Sequence, residues 1–137
     1  MNHIKEYLSQ LKYLNQEIQS YTEQRNALRS AIEIKTSSFN ENKVQETNKR
    51  FDDKYMKFVE ISEQLNDKID ERMNLQVKIT NEIDLIDKQE LRLVLRYKYI
   101  NLLTFEQIAV KMSYDIRSVH RIHGNALKEF EDIQSCH

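Results

Sequence analysis

The sequence has few of the residues that interrupt helices, because its 137 residues include one glycine and no proline. Proline removes a backbone donor and glycine weakens helices, so their scarcity indicates an almost wholly helical protein. Cysteine is also scarce: Cys136 is the single example, and it cannot form an internal disulfide. A chain of this kind suits a reducing compartment, so we expect a cytoplasmic protein.

Long apolar runs are missing as well. No segment approaches the roughly 20 consecutive apolar residues that a membrane-spanning helix needs. The first 14 residues mix Lys, Glu and Asn with apolar residues, unlike a signal peptide. We therefore expect no membrane partner.

The sequence lacks the common motifs of catalysis and cofactor binding. It has no Gly-rich phosphate loop, no CxxC pair and no HExxH. His120 and His123 lie close in sequence, but their neighbourhood offers no obvious further metal ligands. We expect neither an enzyme nor a cofactor or metal site. His123 winds to the edge of an apolar stripe, which favours a partly buried structural histidine.

The charges that are present are unevenly distributed. Residues 1–90 carry a net charge of −3, whereas residues 91–128 hold seven basic side chains against Glu106 and Asp115, a net of +5. DNA affinity depends heavily on neutralised phosphates, so the second segment has the sign expected for DNA binding.

Residues 1–87 have the pattern of two long helices. Apolar residues recur at heptad spacing from Ile4 to Ile32, and again at alternating spacings of four and three from Phe51 to Ile86. A polar stretch at about 36–46 separates them and is predicted to be a loop. We expect an antiparallel hairpin, with Asp87 and Glu90 as a capping pair after it. Further apolar residues flank the two seams and predict self-association, most simply as a homodimer: Leu8, Met56, Val59, Met73 and Val77.

Residues 104–130 have the spacing of a helix-turn-helix. Thr104 and Gln107 form a capping-box pair, and Asp115 stands where the second helix needs an N-cap. The second helix carries one apolar stripe: Val119, Ile122, Ala126 and Phe130. At about 100° per residue, its basic residues wind nearly opposite that stripe: Arg117, Arg121 and Lys128.

The segment from about Asp87 to Phe130 resembles region four of bacterial sigma factors, the domain that recognises promoters. The resemblance is carried by LRYKYI at 95–100, by TFEQIA at 104–109, and by the run that ends at Ala126 and Leu127. With a preceding helical region, the layout is similar to small phage regulators of late transcription of the ArpU and RinA type. The resemblance implies that Arg117, His120 and Arg121 read bases and that Thr104 and Asn125 touch the DNA backbone. The full predicted DNA-binding set is Thr104, Ile116, Arg117, Ser118, His120, Arg121, Asn125 and Lys128.

Together these features predict an all-α fold, with a long coiled-coil-like hairpin at 1–87 and a sigma region-four-like helix-turn-helix domain at 88–137. The predicted function is sequence-specific binding of double-stranded DNA and activation of phage late genes, in the cytoplasm of a bacterial host. Two alternatives remain open at this point. One is a phage DNA-packaging recognition subunit that assembles into a ring, and the other is a coiled-coil adaptor that docks on RNA polymerase.

Overall fold

The computed structural model describes residues 2–37 and 44–136, and within these ranges the regular structure is entirely helical. The all-α prediction is confirmed. In chain order the elements are α1 (Asn2–Leu8), α2 (Gln10–Ser37), α3 (Val44–Ile83), α4 (Gln89–Leu95), a π-helical segment (Arg96–Ile100), α5 (Phe105–Met112) and α6 (Ile116–Ser135). Among the described residues, no helix combines the length and the apolar character that crossing a membrane requires.

The chain forms two compact units that differ from the division expected at residues 87 and 88. The terminal unit combines Met1–Leu14 with Arg72–His137, and the central unit is Asn15–Glu71. The difference has a physical cause. Apolar residues of α1 and of the start of α2 are buried together with residues of α4, α5 and α6, so they belong to that core.

The core of the terminal unit is built from one apolar stripe of each helix. Leu8, which we expected to remain available for self-association, is fully buried. The buried cluster consists of Ile4, Leu8, Leu11, Ile79, Ile83, Ile86, Leu91, Val94, Leu95, Tyr99, Ile108, Ala109, Val119, Ile122, Ala126, Leu127 and Phe130. Burying each Leu, Ile, Val or Phe side chain of this cluster contributes on the order of 1.5–3 kcal/mol before the entropy of ordering the chain is subtracted.

A partly buried carboxylate joins three helices of this unit. The Tyr7 hydroxyl of α1 donates to Glu82 Oε1 on α3, and Gln134 Nε2 of α6 donates to Glu82 Oε2. Burial, followed by the hydrogen bond to Glu82, raises the pKa of Tyr7. The tyrosine therefore keeps its proton and acts as a donor at every physiological pH.

In the central unit, the start of α2 lies beside the later part of α3. Glu17 Oε2 is 3.1 Å from Lys68 Nζ. Leu65, three residues before Lys68 on α3, is buried. Toward the other end of α2, Ile32 lines a surface cleft with Tyr55 and Phe58 of α3. The early residue Glu17 of α2 meets the late residue Lys68 of α3, and the later residue Ile32 of α2 lies beside the earlier residues Tyr55 and Phe58 of α3, which is the order of contacts between antiparallel helices. Tyr55, placed in the buried seam by its spacing, is half exposed.

The segments before α4 depart from the sequence expectations. The loop expected at about 36–46 is shorter, because α2 continues to Ser37 and α3 begins at Val44; residues 38–43 lie outside the described residues. The predicted capping pair of Asp87 and Glu90 is wrong, because α4 has Lys88 as its N-cap, without a side-chain capping bond.

Two arginines fix the turn between α3 and α4. Arg92 Nη1 donates to the carbonyl oxygens of Ile86 at 2.6 Å and Asp87 at 2.7 Å. Arg96 Nη1 lies 2.8 Å from Asp84 Oδ1. The turn is thus held by side chains that come after it in the sequence, which explains why its own residues gave a misleading capping signal.

Candidate nucleic-acid interface

The candidate interface comprises α5, α6 and the turn between them. Thr104 Oγ1 accepts from the Gln107 backbone N–H at 3.2 Å, and Gln107 Oε1 accepts from the Thr104 N–H at 2.9 Å. This confirms the predicted capping box at the start of α5. The helix ends at Met112, and its C-cap residue is Ser113, whose φ of 58° and ψ of 39° lie in the left-handed region. That conformation turns the chain, so that three residues separate the end of α5 from the start of α6.

Asp115 occupies the predicted N-cap position of α6, with extended backbone angles. Its carboxylate makes no side-chain capping bond to the helix, so the N-cap is weaker than the sequence predicted. The hydroxyl of Ser118 lowers the pKa of Asp115, and the positive charge of Arg121 lowers it further. Asp115 is therefore a fixed negative charge at the helix start, where the helix dipole favours it.

The underside of α6 is buried as its apolar spacing predicted. Val119, Ala126 and Phe130 have no exposed surface, and Ile122 is 2% exposed. The helix packs against α1, α4 and α5. An underside clamped by three helices fixes which side of α6 is free to meet a partner.

The free side carries the predicted DNA-binding residues. Seven of the eight are exposed and Ser118 is half-buried. Within the described residues, Arg117, Arg121 and Lys128 form no ion pair with a carboxylate. Asp115 acts electrostatically on Arg121 without forming an ion pair with it, so all three cations remain available to a bound anion.

An aromatic platform supports one edge of this side. The Phe105 ring centroid is 4.3 Å from that of His120, and Lys98 Nζ lies 4.3 Å above the same Phe105 ring. A cation over an aromatic face is attracted by the ring quadrupole. Sequence reasoning missed Lys98 and Phe105 as neighbours of the site because they precede α6 by many residues.

His123 is the buried histidine that its winding angle predicted. It is 7% exposed, and its Nε2 lies 2.7 Å from the Tyr99 hydroxyl. Burial lowers the pKa of His123 to about 4, and the positive charges of Lys5, Lys98 and His120 act in the same direction. Burial also raises the pKa of Tyr99 to about 12. The neutral pair is thus a structural hydrogen bond that anchors α6 to the π-helical segment.

The turn between α5 and α6 is anchored to α4. The Tyr114 hydroxyl donates to Glu90 Oε2 at 3.2 Å, and Lys111 Nζ lies 5.9 Å from the Tyr97 ring centroid. These contacts border a surface cleft of about 330 Å³. Across residues 2–37 and 44–136, no three His, Cys, Asp or Glu side chains come together to hold a metal ion. The site consequently offers charge and hydrogen-bond donors rather than a metal cluster.

Comparison with known proteins identifies one family. A family model described as "Protein of unknown function (DUF1492)" matches residues 33–131, which is more than half of the chain. No curated protein and no solved structure matches the chain.

Proposed function

We propose that this chain, which belongs to the DUF1492 family, binds double-stranded DNA sequence-specifically through α6 and regulates transcription. One observation carries the proposal. Arg117, Arg121 and Lys128 are exposed and lack ion pairs among the described residues, on a helix whose opposite side is fully buried. A helix held in this way after a three-residue turn has the form that reads a DNA major groove.

The side chains match the chemistry of the groove. An arginine can donate two hydrogen bonds to O6 and N7 of guanine, and each good pair discriminates against the wrong base by about 1–3 kcal/mol. Arg117 and Arg121 lie four residues apart on α6, so both can face the same groove. Lys128 lies further along the helix, where a contact to a phosphate would fix position without reading sequence. His120 adds a further donor and Asn125 a donor and acceptor.

The resemblance to phage late-transcription regulators supplies the biological setting of the proposal. The expected target is a DNA site upstream of structural or packaging genes. The protein would bind this site in the cytoplasm of a bacterial host and activate those genes. Footprinting of fragments selected from the source genome tests this proposal, since a site in such a position is the expected result.

Self-association is proposed from exposed apolar side chains on α3. Met73 and Val77 of the terminal unit are each about 60% exposed, and Met56 of the central unit is 64% exposed. Apolar side chains of this size at a spacing of four suit a helix-to-helix contact. Sedimentation should give a homodimer, which would present two copies of α6 and bind a two-part site. A ring of several copies would instead favour the DNA-packaging alternative.

The arginines provide the decisive test of DNA reading. Arg117→Ala and Arg121→Ala should each weaken specific binding by about 1–3 kcal/mol and relax base preference locally. Lys128→Ala should weaken all sequences alike. Arg29→Ala is the matched control, because Arg29 is exposed and lies in the central unit. Unchanged DNA affinity in both α6 arginine variants would contradict the proposal.

A protein-docking role is the second candidate, because apolar residues are exposed on the same two helices. Val110 on α5 is 80% exposed, and Ile116 at the start of α6 is 42% exposed. Exposed apolar residues of this kind are typical of protein contacts. Under this alternative Val110→Ser would weaken binding to RNA polymerase, while the arginine substitutions would leave nucleic-acid affinity unchanged.

A further inference from the structure

The Phe105 ring contacts both the core of the terminal unit and the exposed side of α6. Phe105 is the first residue of α5, where the capping box of Thr104 and Gln107 fixes the start of the helix. Its side chain is half-buried and packs against the core cluster. The fold therefore sets the position of this ring before any partner binds.

Two further groups restrain the Phe105 ring. The buried His123 ring meets it edge-on, with the centroids 5.0 Å apart and the planes at 79°. His123 is itself fixed, because its Nε2 lies 2.7 Å from the Tyr99 hydroxyl. Lys98 Nζ lies 4.3 Å from the Phe105 centroid. Ring pairs and cations over rings attract one another beyond the burial of their surfaces, so both contacts hold the phenyl group in place.

His120 of α6 rests on this fixed ring. The centroids of the His120 and Phe105 rings are 4.3 Å apart, and their planes are tilted by 41°. The His120 side chain is exposed, and within residues 2–37 and 44–136 it makes no hydrogen bond and no ion pair. The contact with Phe105 therefore restrains the imidazole while its ring nitrogens stay open to a ligand.

We infer that Phe105 is a positioning residue for DNA reading, whose ring holds the His120 imidazole in the orientation that meets a base edge. The inference rests on the proposed function and adds a residue of α5 to the determinants of sequence preference. His120 lies three residues after Arg117, so the two side chains are neighbours on the surface of α6. An imidazole N–H can donate to an acceptor such as N7 or O6 of guanine.

The ring contributes to base preference by ordering His120 in advance. A side chain that is already ordered loses less conformational freedom on binding than a free one. Without the Phe105 ring, the DNA itself would have to order the imidazole. That cost would fall on the correct base, because a base without a suitable acceptor makes no bond to His120 in either case. Removing the ring should therefore reduce the preference for that base.

The test compares the affinities of variants for duplexes that differ at one base pair. His120→Ala identifies the base pair that His120 reads, and Arg117→Ala identifies the one that Arg117 reads. Phe105→Leu removes the ring and keeps an apolar side chain, so it should lower the preference at the His120 base pair roughly three- to tenfold. The preference at the Arg117 base pair should remain. In a His120→Ala background, Phe105→Leu should have no further effect on base preference.

Three more variants complete the design. Phe105→Tyr keeps the ring and should retain the wild-type preference. Phe105→Met fills the same space with a flexible side chain and should show the same loss as Phe105→Leu, so it provides the test if the leucine variant does not fold. Phe58→Leu is the matched control, because Phe58 is a half-buried phenylalanine of the central unit. The control should keep the preference at both base pairs.

An unchanged preference at the His120 base pair in a folded Phe105→Leu or Phe105→Met variant overturns the inference. An equal loss at both base pairs also overturns it, because that result would indicate a general distortion of α6. If His120→Ala alters no base preference while Arg117→Ala and Arg121→Ala do, the inference fails and DNA reading by α6 stands. If the wild-type chain binds no duplex, the proposed function fails and the inference fails with it.

Discussion

Replacing Gly124 by alanine should separate the stability of α6 from its ability to bind DNA. Gly124 lies inside α6, and an added Cβ would meet no heavy atom within 4 Å. Alanine is better than glycine in a helix interior by about 0.8–1 kcal/mol. With no steric cost to subtract, Gly124→Ala should stabilise the fold by nearly that amount and raise the melting temperature by about 4 °C.

DNA binding should change in the opposite direction. At about 100° per residue, Gly124 lies within about 60° of both Arg117 and Arg121 around the helix, in the middle of the exposed side. A methyl group there would separate the backbone of α6 from the groove. We expect specific affinity to fall about fivefold or more, equivalent to about 1 kcal/mol.

Thermal melts and fluorescence anisotropy on the same samples measure the two effects. Asn74→Ala is the control, because Asn74 is exposed inside α3 and its replacement also raises helix propensity without touching α6. The control should gain stability and bind DNA normally. If Gly124→Ala gains stability and binds as tightly as the control, the close approach of α6 to DNA is refuted. If it loses stability, the assignment of Gly124 to an unobstructed helix position is refuted.

Two further predictions concern the fold that holds α6. Ser113→Gly should stabilise the chain by about 0.5–1 kcal/mol in denaturant unfolding, because Ser113 has a left-handed backbone that glycine adopts without strain. The same change at Ser62 inside α3 should destabilise by a similar amount, and a loss at both positions would contradict the argument. His123 has a folded pKa of about 4, below its ordinary 6.5, so the unfolded chain binds more protons between these values. The contribution of neutral His123 to the free energy of unfolding should be fully present above pH 6.5 and should be lost as the pH drops toward 4, by at most about 3 kcal/mol. His123→Gln should flatten this pH dependence. An equal slope in that variant would contradict the prediction.

The features of α5 and α6 could be predicted from the sequence because they depend on local spacing. A capping box needs two residues three positions apart, and the buried stripe of α6 needs apolar residues at helical intervals. The burial of His123 followed from its winding angle alone. The all-α class followed in the same way from the scarcity of helix breakers.

The remaining features depend on contacts between distant parts of the chain. The capping signal at Asp87 was misleading because Arg92, further along, donates to the carbonyl of Asp87 and holds the turn in another conformation. Leu8 has the spacing of a seam-flanking residue, and nothing near it in sequence indicates that the C-terminal helices bury it. The π-helical segment, where the Asn101 N–H donates to the Arg96 carbonyl at 2.9 Å, likewise has no local residue signal.

The division of the terminal unit between two distant parts of the chain determines when during synthesis its core can form. Its first 14 residues leave the ribosome early, but their partners in the unit begin only at Arg72. The core cannot form completely until α6, which ends at Ser135, has left the ribosome. Nascent chains stalled before that point would expose Leu8 and Leu11, which the finished core buries, to chaperones.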